Sequence, residues 1–230
     1  MTWQAERYRF KDFPHSSHRV LIDLVGSKPA KVLEVGTASG LIGERLTAAG
    51  HRVVGVEADR HAANQARPHY ESFYEADLMT LAALPEAPFD VVVAGDVLEH
   101  LPRPRAALRL LAGFLGPGGR LLFSVPNVAF LSVRLGLLVG RFEYGERGVL
   151  DRDHLRFFTR RSLCRLIRDE SLELVRLLPL PAPIPMLWPR ASHWPWRVVH
   201  ELARAGATVW PGLLAFQLVG ECVRAQLAKE

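Results

Sequence analysis

Lys31-Val32-Leu33-Glu34-Val35-Gly36-Thr37-Ala38-Ser39-Gly40 carries the architecture of this chain in ten residues. A short run rich in β-branched residues closes on a glycine, and an apolar-periodic segment, 41–49, follows at once and ends at Gly50. The run predicts a strand and the segment a helix. Gly36 permits a tight turn without a Cβ clash. Gly40 lets the backbone come close to a bound molecule. The helix starting near Leu41 offers free N–H groups to an anion. Strand, glycine turn and helix form the unit from which parallel sheets are wound.

The alternation extends to both sides. Upstream, 16–25 predicts a helix with Val20, Leu21, Leu24 and Val25 on its apolar face. Downstream, 52–56 predicts a second strand, and 60–67 a helix capped by Asp59 and stopped by Pro68. Strands are expected over 70–75 and over the nearly all-valine 89–94. An amphipathic helix over 103–115 closes at Gly116-Pro117-Gly118-Gly119, and a fifth strand runs over 120–125. Regularity then weakens. Helices are expected over 128–139, 160–169 (capped by Thr159) and 200–209, and strands over 171–178 and 213–224. The stretches 140–158 and 179–195 read as irregular. The pattern is that of an α/β fold with a largely parallel sheet and two late strands that pair as an antiparallel edge.

Composition sets limits. The 230 residues suit one domain, and 49% hydrophobic with 23% charged residues is an ordinary soluble balance. The net charge of +5 is spread along the chain with no basic arm, so no specific nucleic-acid partner is expected. The longest apolar stretch, 128–140, is too short for a membrane span and contains Arg134. The polar, charged start argues against a secretory leader. Cys164 and Cys222 are too isolated for a disulfide framework or a zinc cluster, and a cytoplasmic setting is expected.

Acidic residues recur at the strand ends. Glu57, 21 residues after Gly36, stands where a carboxylate can accept both hydroxyls of a ribose. Asp77, in Glu75-Ala76-Asp77-Leu78, stands where an acid can meet an adenine amino group. Asp96-Val97-Leu98-Glu99-His100-Leu101 follows the fourth strand. Gly36-x-x-x-Gly40 departs from the G-x-G-x-x-G of dinucleotide sites, which disfavours a nicotinamide dehydrogenase.

Taken in order from Lys31 to Asn127, these pieces resemble the class I S-adenosylmethionine-dependent methyltransferase superfamily, in particular its small-molecule and glycan-associated members. The resemblance implies a Rossmann-like three-layer sandwich, with a seven-stranded, mostly parallel sheet whose antiparallel seventh strand is 213–224. It implies one methyltransferase domain over 1–230, with 128–212 as substrate-side insertions; Trp3, Tyr8, Phe10 and Phe13 make 1–18 a candidate lid. It places Glu34, Gly36, Thr37, Ser39, Gly40, Glu57, Ala58, Asp77, Leu78 and Asp96 around S-adenosylmethionine. Ala38 stands where many members carry glycine, so a slightly altered turn is expected.

On the reacting side, Glu99, His100 and His154 are the expected catalytic residues, His154 from the ionisable and aromatic stretch 150–160. The Asp-x-x-Glu-His spacing with a later histidine is also similar to metal-dependent O-methyltransferases, including ubiquinone-pathway and small-RNA ribose enzymes. That similarity implies Asp96, Glu99, His100 and His154 around Mg or Mn. Asp96 in place of the usual glutamate shortens one arm, so a divalent cation is the less favoured addition and its ligands stay unassigned. The expected reaction is O-methylation of a small molecule such as a sugar, a quinone-like ring or a lipid-linked acceptor. Oxygen follows from the resemblance alone. Trp188, Trp194 and Trp196 could wall an apolar pocket. The competing readings are a ribose methyltransferase acting on nucleic acid and a scaffold that binds the cofactor without turnover.

Overall fold

The computed structural model describes residues 13–81, 83–183 and 194–225. Helix α1 (Ser17–Val25) leads into β1 (Lys31–Val35), α2 (Leu41–Ala48), β2 (Arg52–Glu57), α3 (Arg60–Ala66), β3 (Ser72–Glu75) and β4 (Phe89–Gly95). Then come α4 (Pro104–Gly113), β5 (Leu115–Pro126), α5 (Leu131–Leu138), α6 (Arg160–Arg168) and β6 (Leu172–Leu180). The chain closes with α7 (Trp194–Val209), α8 (Pro211–Leu214) and β7 (Gln217–Arg224). The seven strands form one sheet in the order β3-β2-β1-β4-β5-β7-β6. β1 through β5 pair in parallel, while β7 runs antiparallel to both β5 and β6.

The two-residue period of a strand explains the valine-rich runs. Val32, Val53, Val91 and Val93 enter a cluster with Leu21 of α1 and Ile42 and Leu46 of α2. Leu33, Val35, Val54, Val92 and Ala94 enter the opposite cluster with Leu108 and Leu111 of α4 and Leu163 and Ile167 of α6. Both faces are covered, so both positions of the pleat are apolar. Truncating one fully buried leucine, such as Leu33, to alanine costs about 2–5 kcal/mol. Glu34 shares the parity of Val32 and faces α1 and α2, the one acid in this buried stretch.

Several boundaries differ from expectation. β5 begins at Leu115, not at Arg120. The Gly116-to-Gly119 segment is a bulge within it: Phe89 pairs with Leu115 and Val91 with Arg120. Gly119 is required there, because a Cβ would come within 2.9 Å of the Phe89 carbonyl oxygen. β7 starts at Gln217 rather than at 213, since Pro211 opens a helical turn through Leu214. α7 begins at Trp194, ahead of the expected 200. β3 loses its first two residues because the 3₁₀ turn Arg67–His69 precedes it.

Candidate active site

The strand order reverses between β1 and β4, whose neighbours are β2 on one side and β5 on the other. Ligands of open α/β sheets bind at such a point, outside the C-terminal strand ends. A cavity of about 490 Å³ opens there. One wall is the turn after β1, with Gly36, Thr37, Ala38 and Ser39. Glu34, Asp96 and Gln217 also line it, and Glu99, His100, Arg147, Asp151 and His154 form a polar wall. Leu180, Pro181, Pro183 and Phe216 supply an apolar wall, and Phe13 and Ser16 to His18 reach the rim from the start of α1.

The glycine turn is held by short-range bonds. Gly36, at φ +65°, receives a backbone bond across the sheet, its N–H donating to the Val56 carbonyl at 2.9 Å. Ala38 also lies in the left-handed region, at φ +47°, a conformation that costs an L-residue about 1–2 kcal/mol. Its N–H donates to Glu57 Oε2 at 2.7 Å, and the Asp59 N–H donates to Oε1 at 2.9 Å. Glu57 thus ties the β1 turn to the end of β2. A carboxylate has about four lone-pair sites, so acceptor capacity remains for a ligand. Beneath the turn, the Tyr70 hydroxyl donates to Glu34 Oε2 at 2.8 Å. Gly43 makes room for that ring, since a Cβ there would lie 2.2 Å from Tyr70 Cζ. Burial, partly offset by the Tyr70 bond, pushes the Glu34 carboxyl up to about 8.

Glu99, His100 and His154 converge, with one ligating atom of each within 4.8 Å of the others. Glu99 and His100 sit in the 3₁₀ turn Leu98–His100 after β4. The Leu155 and Arg156 N–H groups donate to the Glu99 carbonyl at 2.8 and 2.9 Å, clasping this turn to the loop that carries His154. His100 Nδ1 lies 3.0 Å from the Asp153 carbonyl and His154 Nδ1 3.1 Å from the Val149 carbonyl. A carbonyl only accepts, so each Nδ1 carries a proton, and in the neutral ring Nε2 is left as the acceptor. The two rings meet edge to face at 4.9 Å. Burial, with His100 beside it, holds His154 below the usual histidine range, which favours the neutral ring.

A family model described as Methyltransferase domain matches residues 5–177. The chain belongs to the methyltransferase-domain family. It is 34% identical over 149 residues to ubiquinone biosynthesis O-methyltransferase of Idiomarina loihiensis, covering 62% of this chain and 61% of that protein. The protein of the same name from Aromatoleum aromaticum is 30% identical over 156 residues, covering 64% and 66%. The matches therefore span less than two thirds of these relatives. Among solved structures, the CcbJ methyltransferase of Streptomyces caelestis aligns over 96% of this chain and 94% of its own, with TM-score 0.62 and 16% identity. The N-methyltransferase NodS of Bradyrhizobium japonicum, in complex with S-adenosyl-L-homocysteine, aligns over 94% and 90%, with TM-score 0.60 and 17% identity. At these identities the structural likeness speaks for the fold.

In this methyltransferase domain, the cavity gathers Glu34, Gly36, Thr37, Ser39 and Asp96 with Glu99, His100 and His154. Five expected cofactor residues stand outside its lining. Glu57 acts on the wall through Ala38. Ala58 is exposed, and Gly40 is packed beneath the turn, where a Cβ would lie 2.9 Å from Ala66 Cα. Asp77 is exposed and caps the turn Leu78–Thr80, accepting from the Met79 N–H at 2.8 Å, while Leu78 is in the core. Asp96 does not join the Glu99, His100 and His154 cluster, contrary to the four-ligand set the resemblance implied; its Oδ1 turns to Ser124 Oγ at 2.5 Å and to Gln217 Nε2. Of the expected lid over 1–18, residues 1–12 lie outside the described residues, as does Trp188. Ser124, Tyr70, Arg147 and Gln217 were missed. Gln217 is 121 residues from Asp96, and no local pattern marks such a pair.

Proposed function

We propose that this chain transfers a methyl group from S-adenosylmethionine to an oxygen of a small-molecule acceptor. The observation that carries the reading is one cavity joining the glycine turn of β1 to the Glu99, His100 and His154 cluster. Its volume lies within the range of about 300–1,000 Å³ found for small-molecule sites. The residues fit the cofactor. Gly36 leaves the turn bare of a side chain, Thr37 and Ser39 add hydroxyls, and Glu57 keeps acceptor capacity for a ribose diol. The relatives named O-methyltransferase and a family match over three quarters of the chain support it.

When bound, the cofactor supplies a methyl group already activated on a sulfonium. The protein then has two tasks. The first is to hold donor and acceptor in line, an effect worth up to about 7–11 kcal/mol at the extreme. The second is to take the proton of an acceptor hydroxyl. His100 and His154 suit that task, because the Asp153 and Val149 carbonyls lock the tautomer that leaves Nε2 as acceptor. An apolar acceptor body, such as a hydroxylated ring, would lie against Leu180, Pro181, Pro183 and Phe216. In this reading 13–18 and the described segments 128–183 and 194–212 form the acceptor side, and a cytoplasmic setting suits the unpaired Cys164 and Cys222.

The cluster also favours a second reading in which it holds a divalent cation. One carboxylate and two imidazoles suit Mn²⁺ better than Mg²⁺, which prefers oxygen ligands.

Thermal unfolding with S-adenosylhomocysteine, NAD, or neither, each with and without MnCl₂ and MgCl₂, separates these readings. A ligand at about 100 times its dissociation constant adds about 2.7 kcal/mol. The expected outcome is a rise of several degrees with S-adenosylhomocysteine and none with NAD. No rise with S-adenosylhomocysteine overturns the proposal. A further rise with MnCl₂ that is lost in His154→Ala supports the cation.

A further inference from the structure

Asp96 is held from several directions at the cavity. It follows β4 directly at φ +57°, a conformation that must be held in place by its surroundings. Its N–H donates to Ser124 Oγ at 3.0 Å and to the Ser124 carbonyl at 3.2 Å. Its Oδ1 accepts from Ser124 Oγ and from Gln217 Nε2. Ser124 is fully buried in β5, and Gln217 is buried where β7 crosses Pro126 and Leu180 in register. Three strands therefore fix one carboxylate. The donor from β7 is a neutral amide, in a cavity that already holds Glu34 and Glu99. A neutral donor fixes the rotation of Asp96 without placing a positive charge beside it.

We propose that Gln217 is a positioning residue: with Ser124 it takes Oδ1 of Asp96 and holds the carboxylate in the one orientation that receives the ammonium group at the amino-acid end of the cofactor. The inference rests on the S-adenosylmethionine reading above and assigns a role to a strand beyond the family match, which ends at 177. Asp96 lines the same cavity as Gly36 to Ser39, which leaves room for the amino-acid end between the β1 turn and Asp96. Replacing the amide by an apolar side chain of similar length frees the carboxylate to rotate. Replacing it by glutamate sets two carboxylates together, which bond only while they share a proton.

The test compares two probes by calorimetric titration: S-adenosylhomocysteine, which carries the ammonium group, and methylthioadenosine, which lacks the amino-acid end. Gln217→Leu is expected to weaken S-adenosylhomocysteine about tenfold or more and to leave methylthioadenosine unchanged. Gln217→Glu is expected to bind S-adenosylhomocysteine near the wild-type level at pH 5.5 and about tenfold or more weaker at pH 8.5. Glu34, Glu99, His100, Arg147, Asp151 and His154 line the cavity in both proteins, so the variant-to-wild-type ratio at each pH isolates position 217. Equal loss of both probes in Gln217→Leu, or a flat ratio in Gln217→Glu, overturns the proposal in favour of a purely structural amide. Wild-type protein that binds neither probe defeats the cofactor reading instead, a distinct outcome.

Discussion

The two sides of the cavity are joined over very different lengths of chain. On the β1 side, Ala38 and Glu57 are 19 residues apart, and Glu57 and Asp59 are 2 apart. On the β5 and β7 side, His100 reaches Asp153 across 53 residues and Asp96 reaches Gln217 across 121. The first side is turn chemistry that forms once two adjacent strands pair. The second exists only when the loop before α6 and strand β7 have docked. Turnover should therefore respond to the histidine clasp, while cofactor binding responds to the β1 turn and, through Asp96, to Gln217.

The largest expected separation is at the histidines. His154→Ala should lower turnover by about 10²–10⁴-fold, the range for removing a general base, and leave S-adenosylhomocysteine affinity unchanged. Calorimetry beside a radiolabelled methyl-transfer assay reads both quantities. Parallel loss of the two would dissolve the division between the sides.

Glu34 tests whether the β1 side carries a pH-dependent cost. Its folded value, about 8, is above the ordinary 4.5, so the folded state holds a proton that the unfolded state releases. That contribution is fully present below pH 4.5 and is lost as pH rises towards 8, with a slope of up to about 1.4 kcal/mol per unit. Urea unfolding at pH 5 and pH 8 should show wild type losing stability over this interval more steeply than Glu34→Gln. Equal slopes would mean that the acid is hydrated rather than buried.

Glu57→Ala should weaken S-adenosylmethionine by roughly 1–3 kcal/mol, because it leaves ribose hydroxyls unpaired and releases the Ala38 N–H. An unaltered affinity in equilibrium binding would remove Glu57 from the site. The smallest effect is at Ala38 itself. Ala38→Gly should raise stability by about 1 kcal/mol, since glycine adopts φ +47° without a Cβ clash. A melting temperature that fell instead would show that the methyl group packs against something the turn needs.

Legibility followed the same division. The parallel strands and the helices between them could be read from periodicity, because burial on both faces leaves continuous valine runs and glycine ends each unit. Ala38 was expected to alter the turn slightly, and it sits in the left-handed region with Glu57 holding its N–H. Glu57 and Asp77 were expected to face a ligand; each is also engaged locally, in bonds that spacing does not reveal. Glu99, His100 and His154 were named as a group, but not the carbonyls that set their tautomers. Asp96 was grouped with them through its three-residue spacing to Glu99, yet the left-handed backbone at 96 sends it towards β5.

The parallel core and the residue types of the β1 turn are legible in the order of amino acids, because both follow from two- and four-residue periods and from the freedom of glycine. Tertiary structure alone decided which way Asp96 points, that Gln217 meets it, and that β7 begins after a helical turn at Pro211. Those outcomes depend on the register of β7 between β5 and β6, and register is set by contacts among strands distant in the chain.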